Sequence, residues 1–315
     1  MTVTAVLLAY AVGVGTLGSK LLGRAGWAAR APRLAIATYL AAAWSVVAAL
    51  GLAGLTLAIH ATALGGGLSH LIGACVLRLR ETYAAPGGAI VADLGLALAV
   101  AVVARSAATA VAHLRAVRRQ ALLHAQTVRL VGRSQPTLGA TLVDHEQPAV
   151  YCVAGPDPAV ILTTGALHAL DPEQLTAVLA HERAHLAFHH HRLLALARIG
   201  RQVFPFIPLM RDLDTQVTRL VEMHADDTAA RATDARLLAT ALVVLASAAS
   251  PVPALAAAAT DAAQRIQRLL GSATPPSQNL RRLLYAGVAA LALTPVLIAL
   301  APALVALALG RVPGA

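Results

Sequence analysis

DPEQLTAVLAHERAHLAFHHH, residues 171–191, is the stretch from which the rest of the chain is read. Asp171 stands before Pro172, and Gln174 follows three positions later; an N-cap, a proline in the first turn and a capping-box glutamine predict a helix start. Inside that helix His181 and His185 are four residues apart, so their imidazoles leave one face and can meet a single cation. Glu182, between them, can reach a water bound to that ion. The HExxH pattern alone fixes only three letters, but here it sits in a capped helix that follows an apparent strand, the setting in which it binds zinc.

A catalytic zinc takes three protein ligands and leaves a fourth position for water. His191 has the spacing of an extended zinc motif, but that motif needs glycine where this chain has Phe188. Along an unbroken helix ten residues also carry the side chain away from the metal face. His189 and His190 read as solvated positions. The better third ligand is Glu222, in RLVEMHADD, residues 219–227. On a second predicted helix Glu222 and Asp226 share a face, so that Glu222 ligates while Asp226, behind it, holds a ligand imidazole. His224 is a candidate for stabilising the transition state. It could instead close the site as a fourth, structural ligand, but a structural site has no use for Glu182.

Charged residues make up only 13% of the 315, hydrophobic residues 58% and aromatics 3%, so the apolar character comes from Ala, Leu and Val. Mean hydropathy is +0.69. Such a mixture suits helices packed closely in lipid. Uncharged runs at 2–19, 34–59 and 283–309 are each long enough to span. A fourth, 89–112, contains Asp93 and Arg105, the latter expected to snorkel toward an interface. A transporter built on those two charges would leave the soluble part of the chain unexplained. The first segment has no basic leader region and reads as a retained helix. The run 237–260 is Ala-rich and broken by Pro251 and Pro253; it is expected to be buried helix and not a fifth crossing. Residues 64–77 fit a re-entrant or interfacial segment.

Lys20 is the only lysine, and the net charge is +10. Basic residues follow the first segment (Lys20, Arg24, Arg30, Arg33), follow the third (Arg115, Arg118, Arg119, Arg129, Arg133) and precede the last (Arg265, Arg268, Arg281, Arg282), with no acidic residue among them in those stretches. This spread is topological, so no direct nucleic-acid binding is expected. By the positive-inside rule the protein is a multi-pass bacterial plasma-membrane protein with both termini outside. Residues 1–112 then form a membrane region, 113–282 a cytoplasmic domain, and 283–315 the last crossing and tail. Cys75 and Cys152 would lie on opposite sides of the bilayer. In the cytoplasmic part, β-branched runs at 127–131, 137–144, 149–153 and 159–163 predict a small sheet, with 159–163 able to hold an extended substrate by strand addition. The fold class is therefore mainly α: about four transmembrane helices and an α+β, zincin-like domain.

AVLAHERAH (177–185) followed by EMHAD (222–226) resembles the membrane metallopeptidases of the BlaR/MecR antirepressor type, and HtpX-like peptidases share the same two-motif logic. The resemblance spans nearly the whole chain. It implies Zn2+ held by His181, His185 and Glu222, Glu182 as the catalytic base, and Asp226 behind the ligands. It also implies a cytoplasmic substrate, a BlaI/MecI-like winged-helix repressor; for the HtpX-like alternative the substrates are misfolded membrane proteins. A catalytically inactive signalling scaffold is the remaining alternative. The antibiotic-sensing members carry an SxxK nucleophile, whereas Lys20 here has Leu17 three positions before it. No β-lactam acylation is expected, and the signal would enter through the bilayer, a separate sensor protein or a second copy of the chain.

Overall fold

The computed structural model describes residues 2–58, 88–155, 157–248, 255–271 and 276–308. The chain runs α1 (Thr2–Gly23), a 3-10 turn (Ala28–Arg30), α2 (Pro32–Ala58), α3 (Gly88–Val131), β1 (Gly132–Gln135), β2 (Ala140–Val143), β3 (Val150–Val153) and β4 (Ala159–Thr163). There follow α4 (Thr164–Ala169), α5 (Pro172–Ala187), α6 (His190–Val203), α7 (Pro208–Ala232), α8 (Ala235–Ala248), α9 (Leu255–Leu270) and α10 (Gln278–Ala308). The expected segment at 64–77, Cys75 and the Pro251/Pro253 break lie outside the described residues.

Among the described residues four helices, α1, α2, α3 and α10, are long and apolar enough to cross a membrane. Helix α2 is the inner one: Tyr39, Ala42, Val46, Ala49 and Ala53 are buried where it meets α1, α3, α10 and α7. Its crossing with α3 is set by two facing glycines. A Cβ on Gly54 would lie 2.7 Å from Gly95 O and Ala99 N, and one on Gly95 would lie 2.7 Å from Gly54 O and Ala58 N. In lipid, where apolar surface alone does not drive association, such backbone approach is how helices gain contact.

Helix α3 differs from expectation at its far end. It is one helix of 44 residues, roughly 66 Å long at 1.5 Å per residue, and runs through residue 112 to Val131. The β-branched run 127–131 is thus helical, and the first strand is Gly132–Gln135. Local strand preference loses here to continuation of a helix with no breaker before Gly132. Arg105 also has a tertiary partner: its guanidinium donates to the carbonyls of Gln202 and Val203 in the last turn of α6.

The sheet order is β1-β2-β4-β3, antiparallel except for β2 against β4. Val160, Ile161 and Leu162 of β4 are buried, and β4 lies between two neighbours. The expectation that 159–163 could pair with a substrate is therefore corrected: β4 has no free edge, and β3 is the edge strand beside α5. Helix α5 begins as the residues dictate, Asp171 accepting from the backbone N–H groups of Glu173 and Gln174 while the Gln174 side chain accepts from Asp171 N–H. It ends at Ala187, and His189 adopts a left-handed conformation (φ 51°) before α6 starts.

Two cores support this frame. One lies under the sheet and joins Val160 and Leu162 to Leu175 and Val178 of α5 and Leu238 and Ala241 of α8. Helices α8 and α9 thus replace the 237–260 run, and no fifth spanning helix occurs among the described residues. The other core joins membrane helices to the domain, Leu7 and Val46 packing with Leu209, Leu213, Val217 and Val221 of α7. Phe204, Leu209 and Met210 belong to it, and Ile207 and Leu209 pack over Gly15 and Gly18 of α1.

Gly54→Val and Gly95→Val should each cost about 1–3 kcal/mol through overpacking, read as a lowered thermal midpoint in detergent. Gly287→Val, where an added Cβ meets nothing within 4 Å, should leave the midpoint unchanged.

Candidate metal centre

Helices α5 and α7 pack face to face and bring two motifs far apart in sequence to one point. His181 Nε2 and His185 Nε2 are 3.0 Å apart. Glu222 places Oε2 3.5 Å from the first and Oε1 3.6 Å from the second. Donors around a tetrahedral zinc at about 2.0–2.1 Å stand roughly 3.3 Å from one another, so the three side chains already have ligand spacing. Two imidazoles and one carboxylate are a donor set that zinc accepts while keeping a position for water.

Behind these groups lies a charge network. Asp226, fully buried, has Oδ1 3.0 Å from His181 Nδ1, out of line for a full hydrogen bond. Arg265 of α9 forks onto Asp226, Nε donating to Oδ2 at 2.8 Å and Nη2 to Oδ1 at 2.6 Å, and its Nη1 lies 3.0 Å from Glu222 Oε2. Burial alone would raise both carboxyls, but the Arg265 and His181 contacts outweigh it and hold Asp226 and Glu222 down at about 2. Burial lowers His181, yet Asp226 and Glu222 more than reverse it and raise it to about 9. Burial takes His185 down to about 4. Arg265, read from sequence only as a topological charge, is thus the counter-ion of the site; nothing in its spacing marks it, because it reaches α7 from a separate helix.

Sequence reasoning also missed His190. The left-handed turn at His189 folds α6 back, so that His190 is fully buried and not solvated. Its Nδ1 lies 3.0 Å from His185 Nδ1, and its Nε2 lies 2.9 Å from His224 Nδ1. If His185 offers Nε2 to a metal, its Nδ1 must carry the proton and donate to His190 Nδ1; His190 Nε2–H then donates to His224 Nδ1. Burial lowers His190 to about 3 and lowers His224 as well, which suits a chain of neutral rings. His224 therefore has its Nδ1 turned toward His190, with Phe188 packed on its ring. His191 lies instead on a groove with His124 and Tyr151.

Glu182 is mostly buried against β3. Burial raises its pKa, His181 opposes the rise, and the Cys152 thiol and backbone bear on its carboxylate. Cys152 in turn is pushed up to about 12 by burial, with Glu182 adding to the rise. Next to the pair, a groove of about 620 Å³ runs between α3, β3 and α5, its walls including His124, Tyr151, His185 and Leu194. His185 and residues 151–153 of the edge strand β3 thus line one groove, and Cys152 on its wall is the neighbour of Glu182.

Residues 113–208 match the model for Peptidase family M48. Comparison with curated proteins and with solved structures gives no match. The M48 match covers the extension of α3, the sheet and the HExxH helix, and ends before Glu222. M48 peptidases are generally zinc metalloproteases, and the His181, His185 and Glu222 cluster fits that chemistry. The matched region is a peptidase-type domain set among helices apolar enough to cross a membrane.

Asp226→Asn should keep the fold but weaken zinc binding about 10- to 100-fold, as loss of a group behind a ligand imidazole generally does; metal titration of the purified protein checks this. The thiol of Cys152, with its pKa raised, is almost wholly protonated at pH 8, whereas an ordinary cysteine near 8.5 is partly thiolate. In a Cys75→Ser background, alkylation by iodoacetamide at that pH should run more than about tenfold slower than for a free thiol and accelerate only in strong alkali.

Proposed function

We propose that this chain is an integral-membrane zinc endopeptidase that cuts an extended segment of a protein substrate laid along the edge of β3. The observation that carries the reading is the placement of Glu182 between the His181/His185/Glu222 cluster and that edge. His181, His185 and Glu222 would hold the zinc, which when bound would supply polarisation of the scissile carbonyl and acidification of the attacking water. Glu182 accepts the water proton and passes it to the leaving amine; its burial suits a carboxylate that must act first as base and then as acid. Asp226 and His190 orient the imidazoles of His181 and His185, each at its Nδ1 atom, leaving Nε2 to the metal site. Backbone groups of Tyr151 to Val153 hold the substrate in extended form, and the groove under α3 receives its side chains.

The arginine distribution supports a cytoplasmic site. For substrate, the resemblance to antirepressor peptidases favours a BlaI/MecI-like repressor, cut to relieve repression. The M48 match carries no antirepressor assignment, and the EMHAD motif is shared with HtpX-like peptidases; clearance of misfolded membrane proteins is therefore the second reading. Cleavage of purified repressor with an unfolded membrane protein left intact selects the first, and the reverse selects the second.

Glu182→Gln should retain about one zinc per chain while peptide-bond cleavage falls by roughly 100-fold or more. Cleavage at the wild-type rate with zinc bound would remove Glu182 from the mechanism.

A further inference from the structure

A second pocket, of about 330 Å³, lies on the far side of His224 from the metal cluster. Its wall is built from four places in the chain: the turn into α2, Phe188 at the end of α5, the C-terminal half of α7 and the start of α10. Arg30, Arg33, Arg231 and Arg281 converge on it. Among the described residues none of these four is in an ion pair: Arg30 donates to Gly26 O, Arg231 to Thr228 Oγ1, and Arg33 lies over the Phe188 ring, 6.0 Å from its centroid. The one carboxylate on the wall, Asp227, is already held by Arg268, Nη1 to Oδ1 at 2.7 Å and Nη2 to Oδ2 at 2.8 Å. The pocket therefore has excess positive charge, and among the described residues the one carboxylate lining it is already paired with Arg268.

Its position decides the ligand. Arg33 and Arg281 stand in the first turns of α2 and α10, two of the four helices able to cross a bilayer, so the pocket lies where headgroups begin. Beside it Tyr285 is half exposed and Leu283 is 69% exposed, an aromatic residue and then an apolar face running away along α10. A soluble anion would use only the arginines, whereas a phospholipid would use the whole arrangement: phosphate on the guanidiniums, tyrosine at the interface, acyl chains on Leu283 and the turns beyond.

We infer that this pocket binds the phosphate-bearing headgroup of an anionic phospholipid, seated between the ends of α2, α7 and α10. The bound headgroup lies against Phe188 and His224, whose rings lead through His190 to His185, so the site adjoins the metal centre from the membrane side. This reading needs the bilayer placement of α2 and α10 and does not depend on peptidase activity.

The test is native mass spectrometry of the full chain in detergent, titrated with phosphatidylglycerol or with phosphatidylcholine. Wild type should bind phosphatidylglycerol in preference. The pair Arg33→Gln/Arg281→Gln should weaken it roughly fivefold for each arginine, about 25-fold together. Arg24→Gln/Arg282→Gln, which removes equal charge outside the pocket, should change it less than about twofold. Unchanged zinc content confirms that the first pair folds; if it does not, Arg281→Gln alone should show the single-arginine loss. Equal losses from both pairs, equal binding of the two lipids, displacement by inorganic phosphate at lipid-like concentrations, or tighter binding of a phosphoserine peptide would each overturn the assignment.

Discussion

Arg265 forking onto buried Asp226 is the contact on which the site depends. Three helices meet there: α9 supplies the guanidinium, α7 the carboxylates of Asp226 and Glu222, and α5 the imidazole of His181. Two carboxylates four residues apart on α7 and facing inward would repel each other and resist ionisation in a buried setting. The guanidinium bridges them and keeps both ionised, Glu222 within the cluster that could hold a metal and Asp226 behind His181. A buried ion pair of this kind adds little net stability, because desolvation consumes most of the attraction. Its value here is that of position: it fixes α7 against α5 with Glu222 at ligand distance from both histidines.

Helix α7 also ties the domain to the membrane. One face carries Glu222 and Asp226 toward α5, and the other buries Leu209, Leu213 and Val217 against α1 and α2. The metal centre is thus built on an element that belongs to the membrane core as well, and α3, running unbroken out of the apolar region, covers the groove beside it. Helices α1 and α2 thus pack directly on the helix that carries Glu222.

Where sequence reading failed, a longer-range contact had overridden a local rule. His190 looks like one more solvated histidine in HHH, but the left-handed turn at His189 sends it into the protein, and only the positions of His185 and His224 give it partners. Residues 127–131 look like a strand by composition and are the end of a helix that starts forty residues earlier. The strand 159–163 looked able to receive a substrate, but only the pairing order reveals that β4 is enclosed and β3 is free.

Local chemistry, readable in the chain itself, determined the four apolar spans, the capped start of α5 at Asp171, the common face of His181 and His185, and the pairing of Glu222 with Asp226 on another helix. Each depends on spacing along one element, where periodicity and capping act over a few residues. Tertiary structure alone decided that Arg265 would be the counter-ion, that His190 would carry the imidazole chain, that β3 and not β4 would be an edge strand, and that four arginines would converge beneath His224. Those outcomes depend on contacts between residues up to hundreds of positions apart, and no period or motif records a distance that exists only after the helices have packed.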